Sequence, residues 1–113
     1  MATIPEPLMQ QMQLQPGVVT LLYTVPDTFS LGTASVELTN FSTSAANDCT
    51  IWHLPAGATT PEPFRRIAFT DLNSKGAQLI RFGIPVGPNH RFYVQTGGNE
   101  VNAVFYAVAH PKA

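Results

Sequence analysis

Charge is scarce in this chain: Asp, Glu, Lys and Arg make up 12% of its 113 residues, against about 25% in a typical soluble domain. The formal net charge is −1, so no long-range field draws the chain to nucleic acid or to an anionic membrane, and neither is expected as a direct partner. Cysteine is nearly absent. Cys49 stands alone, which excludes an intrachain disulfide and with it a small stapled secreted fold. No 18 apolar residues follow one another, and the start, Met1-Ala2-Thr3-Ile4-Pro5-Glu6-Pro7, lacks the basic residues and apolar run of a secretory signal. The expectation is a soluble protein made in the cytoplasm. Amphipathic helical periodicity and fixed-period repeats are missing too, which argues against α/β plans and solenoids.

What is present is strand grammar. Hydrophobic residues make up 44% and aromatics 10% of the chain, enough for one core at this length. Seven runs of β-branched, aromatic or alternating residues span 18–25, 34–41, 49–54, 65–70, 78–82, 91–96 and 101–109. Turn residues separate them. Asn73-Ser74-Lys75-Gly76 suits a type I turn, and Gly97-Gly98-Asn99 suits a tight hairpin that would pair the last two runs directly. In the first run Val19, Leu21, Tyr23 and Val25 are expected to face the core. The fold class is therefore all-β: an antiparallel β-sandwich, jelly-roll or immunoglobulin-like, of about seven to eight strands. Residues 1–17, with Pro5, Pro7 and Pro16 around a Gln- and Met-rich stretch, are read as an extended N-terminal arm preceding a single sandwich domain over 18–113. The first and last runs carry apolar residues on both faces, and a strand apolar on both sides of a two-layer sandwich needs a neighbour.

Reactive constellations are weak. In an extended strand Cys49 and His53 have Cα atoms roughly 13 Å apart, too far to share a metal ion or to form a thiol–imidazole dyad. His90 and His110 sit in a turn and near the C-terminus, outside any ligand motif. Asp27, Glu37, Asp48, Glu62, Asp71 and Glu100 fall mostly beside turns, where Asp hydrogen-bonds its own backbone. No catalytic, cofactor or metal residues are expected, and no enzyme. Asn40-Phe41-Ser42 matches the glycosylation sequon but has no secretory route to use it. Trp52 with Tyr23, Tyr93 and Tyr106 could stack on sugars, which leaves a carbohydrate-binding module, with a glycan as partner, as an alternative.

Leu21-Leu22-Tyr23-Thr24-Val25-Pro26-Asp27, Ala34-Ser35-Val36-Glu37-Leu38-Thr39-Asn40 and Thr50-Ile51-Trp52-His53-Leu54-Pro55-Ala56-Gly57 resemble small all-β virion accessory proteins of tailed bacteriophages. In that group an opening "LYTVP" strand is followed by a strand ending "L-T-N" and another running into a "P-x-G" turn. Ile84 to Val94 is similar to the group's "L-x-x-G-D" element, departing from it at Pro88-Asn89. The resemblance covers roughly residues 20–108. It implies a structural role with no cofactor: a capsid cement or decoration protein that binds the outer surface of the phage head as a homotrimer, its partners being other copies of itself and the major capsid protein. The corresponding location is the virion. Neck, tail or head-fibre components are the alternative within the same group. Composition nominates Met9, Met12 and Leu14 of the arm, and the stiff loop Thr59-Thr60-Pro61-Glu62-Pro63, as contact residues.

Overall fold

The computed structural model describes residues 4–113 as eight strands: β1 Glu6–Gln13, β2 Thr20–Thr24, β3 Phe29–Asn40, β4 Ala46–Leu54, β5 Arg66–Leu72, β6 Gln78–Val86, β7 Arg91–Gln95 and β8 Val101–Pro111. They build two four-stranded sheets, β1-β8-β3-β6 and β2-β7-β4-β5, with every pairing antiparallel. Of the connections, only β4–β5 stays within one sheet; all others cross the sandwich. This is the jelly-roll arrangement of the two that the sequence left open.

Alternation puts the core between the sheets. Along β8 the odd residues Val101 to Ala109 are all fully buried, and the even ones face outward. Phe105 meets Tyr23 in a 4.4 Å stack and Phe92 in a tilted 5.1 Å contact. Ala103 and Ala107 flank Phe105 on its own strand, so small residues make room for the large ring, as close packing requires. Val36, Leu38, Ile51 and Val94 fill the remaining layers.

Four features depart from the sequence reading. Residues 6–13 are extended, yet they are not an arm leading away from the sandwich: they pair with β8 from Glu6↔Ala109 to Gln13↔Asn102, which carries the sandwich back to residue 6. Leu8 and Met12 pack against the core from this strand, and Pro7 is tolerated because β1 is an edge strand. Secondly, Leu21 is 42% exposed while Leu22 is 3% exposed. A register shift between Leu21 and Tyr23 inserts a bulge that turns Leu22 inward alongside Tyr23.

The last two strands do not pair. β7 lies between β2 and β4, and β8 between β1 and β3, so Gly97-Gly98-Asn99 is a crossover. Its glycines serve close approach: a Cβ on Gly98 would stand 2.5 Å from the Ala46 side chain, and one on Gly97 3.0 Å from the Asn47 carbonyl. Finally, the turn after β5 is closed one residue later than expected, by Ala77 N–H to Ser74 C=O at 3.1 Å, with Gly76 at φ +84. Among the described residues no helix is long and apolar enough to cross a membrane.

Candidate assembly surface

The outer face of the β1-β8-β3-β6 sheet follows from the register. Its cross-strand rows read Pro7–Val108–Thr33–Pro85, then Met9–Tyr106–Ser35, then Gln11–Val104–Glu37–Ile80, then Gln13–Asn102–Thr39–Gln78. Opposite Ser35 a bulge in β6, with Gly83 at φ +70, leaves Phe82 79% exposed. Met9, Tyr106, Val108 and Ile80 are also exposed. Glu37 is the one charged residue in these rows, and its carboxylate is already used: Oε1 accepts from Gln78 Nε2 at 2.6 Å and from Thr39 Oγ1 at 3.0 Å. The face is a broad, apolar and amide-bearing plane whose single charge is tied down. Shallow depressions mark it among the described residues, such as one of about 240 Å³ beside Gln11 and Asn102 and one of about 330 Å³ between Leu31 and His110.

The nominated contact residues are distributed unevenly. Met9 lies on this face and is 57% exposed, whereas Met12 is half-buried and directed inward opposite Ala103. Leu14 is 2% exposed, and its N–H bonds the Val101 carbonyl at 2.9 Å; it is a core residue and offers nothing to a neighbour. In the β4–β5 loop Thr59, Thr60, Glu62 and Pro63 are exposed and Pro61 is half-buried. The loop base is tied down by Arg91 Nη1 donating to the Ala58 carbonyl at 3.2 Å. A 3₁₀ turn, Pro63–Arg65, follows and presents Phe64 at 73% exposure with the Arg65 guanidinium 4.8 Å over its ring. Composition did not single out Phe64, Phe82 or Tyr106 as contact residues. The signal for Tyr106 and Val108 was present in the doubly apolar last strand, but Phe82 owes its exposure to the bulge.

The aromatic candidates for sugar stacking do not share a face. Tyr23 is inside against Phe105, Tyr106 is on the outer face just described, and Trp52 sits beside Tyr93 on the other sheet at 7% exposure. Among the described residues the buried Trp52 indole N–H finds no partner. Asn40 is fully buried; its amide donates to the Ser44 and Leu72 carbonyls and accepts from the Ser42 N–H, at 2.9 to 3.0 Å, so it is a corner brace and closed to glycosylation. Cys49 is fully buried as well, with Sγ 3.4 Å from the Ala46 carbonyl and 3.3 Å from Thr96 Oγ1, and burial pushes its thiol pKa up. Among the described residues no group of three or more His, Cys, Asp or Glu gathers around one point. Two histidines do meet: His53 Nε2 and His90 Nδ1 are 2.9 Å apart.

Eight strands in this order define the chain as a jelly-roll domain. No family model matches it, and no curated protein matches it. Its fold is similar to that of a solved protein from Bacillus endospore appendages, described as a family of disulfide-linked pili, with a TM-score of 0.61 at 10% identity over 99% of this chain and 90% of that one. A capsid structure of infectious bursal disease virus, the T13 particle, aligns at a TM-score of 0.40 and 11% identity, and this chain spans 32% of it. At these identities the likeness is one of fold.

Proposed function

We propose that this chain is a non-enzymatic structural subunit that works by assembly: a decoration protein of a tailed-phage head, homotrimeric, set against the major capsid protein on the outer surface of the virion. The observation that carries the reading is the outer face of the β1-β8-β3-β6 sheet, where one hydrogen-bonded carboxylate stands among Met9, Tyr106, Val108, Ile80 and Phe82. Exposed apolar area of that kind marks a contact surface, because water pays nothing toward keeping it open. The resemblance of the strand and turn motifs to phage virion accessory proteins supplies the setting, and the pilus protein of like fold is itself an assembling subunit by its description. The mechanism is mechanical. Subunit junctions in a filled shell are under load, and each trimer placed over a junction adds buried interface, for which about 1,600 Å² suffices in a specific complex.

Solution mass of the purified chain, alone and mixed with empty phage shells, tests this directly. A trimer that co-sediments with shells is the expected result, and Tyr106→Lys, which puts an unpaired charge on the sheet face, is expected to give monomer with an unchanged circular dichroism spectrum. A wild-type monomer that leaves shells bare overturns the reading. Copy number per particle separates the head lattice, with hundreds, from a neck or tail axis, with a few to about a dozen.

A further inference from the structure

His53 lies on β4 directly opposite Phe92 of β7, so its ring is on the inner face of the sheet, at the end of the sandwich where β6 turns into β7. The imidazole stacks on Phe92 at 4.8 Å with 8° between the planes, and Phe92 in turn packs on Phe105 in the core. The plane of the imidazole is thereby fixed. His90 closes the β6–β7 turn, whose backbone is pinned by Asn89 N–H to the Val25 carbonyl and Val25 N–H to the His90 carbonyl, both 2.9 Å. Its Nδ1 faces His53 Nε2 at 2.9 Å, the ring planes being 39° apart. Both side chains are half-buried, so one side of the pair remains open to solvent.

Two nitrogens so placed hold one proton between them as a hydrogen bond, or one cation in its place. Neighbouring ligands at right angles around an ion, each bonded at about 2.05 Å, are about 2.9 Å apart, against about 3.3 Å in a tetrahedron. Right-angled nitrogen sets suit Cu²⁺ and Ni²⁺. We propose that His53 Nε2 and His90 Nδ1 form a two-histidine chelate for Cu²⁺ or Ni²⁺, with water on the remaining positions. Binding moves the shared proton to a distal ring nitrogen, His53 Nδ1 or His90 Nε2, so two neutral imidazoles give both lone pairs and no net proton leaves. The two lone pairs then converge on the ion instead of facing one another, which takes an in-plane turn of both rings; His53 makes it without leaving the face of Phe92. The bound ion ties the β6–β7 turn to β4.

The test titrates the metal-free full chain with Cu²⁺, then Ni²⁺, following calorimetry and the nitrogen hyperfine pattern of the Cu²⁺ electron paramagnetic resonance spectrum. One-to-one binding with two imidazole nitrogens is expected, and at a free metal concentration about a hundred times Kd the thermal midpoint should rise by about 11 °C. His53→Gln and His90→Gln each abolish both effects, while His110→Ala binds as the native chain does. His90 is on a turn, so His90→Gln decides the matter if His53→Gln fails to fold. Binding that survives His90→Gln, binding that disappears in His110→Ala, or no saturable binding overturns the proposal.

Discussion

At the scale of single residues several buried or half-buried polar side chains are held by hydrogen bonds. Asn40 braces a corner with three hydrogen bonds, Glu37 is held by Gln78 and Thr39, and the two histidines satisfy each other. The histidines carry a pH consequence for the metal-free protein. Burial, and in second place the nearby His90, lowers the pKa of His53 to about 4, and burial lowers that of His90. In the unfolded chain both take up protons from about pH 6.5 downward. The folded state therefore binds fewer protons, and stability is full above that pH, falls as the pH drops toward 4, and levels off below. The urea midpoint, measured with a chelator present, should decline over this window. In His53→Phe, which keeps the stack on Phe92 without the titrating nitrogen, the decline should be visibly smaller; an identical decline would show that carboxylates elsewhere account for it.

At the scale of elements, strands were legible and pairings were not. All seven runs read from alternation became strands β2 to β8, because a half-buried strand writes its two faces into the sequence at every second residue. β1 escaped because its inward residues are only Leu8 and Met12, with Gln10 between them, which breaks the alternation. The bulge at Leu21 and Leu22 was equally hidden, since a one-residue slip leaves composition unchanged. The crossover at Gly97-Gly98 read as a hairpin because glycine looks the same whether it supplies a positive φ or yields room to Ala46. The His53–His90 meeting joins residues 37 apart and has no local signature at all. β1 and the residue that follows it also offer a clean pair of substitutions. Leu14→Ala, which empties a core position, should cost about 2–5 kcal/mol in denaturant unfolding, whereas Met9→Gln on the outer face should leave stability nearly untouched and weaken self-association in sedimentation.

At the scale of the whole molecule, the proposed assembly is expected to hold without disulfide links. Its single cysteine is sealed in the core with a raised pKa, and the thiolate is the species that forms disulfides. Oligomers treated with an oxidant should therefore run as monomers on a denaturing gel without reductant; a ladder of covalent multimers would show that Cys49 becomes accessible. The crossing connections have a further effect, one of timing. β8 lies at the centre of its sheet, between the first and third strands of the chain, so that sheet stays split until the eighth strand arrives. Pairings this distant along the chain form slowly. The four rows of the outer face draw residues from β1, β3, β6 and β8, and none is complete in a partly folded chain. A half-made chain thus lacks this face, and in the proposed assembly the topology itself would keep immature copies out.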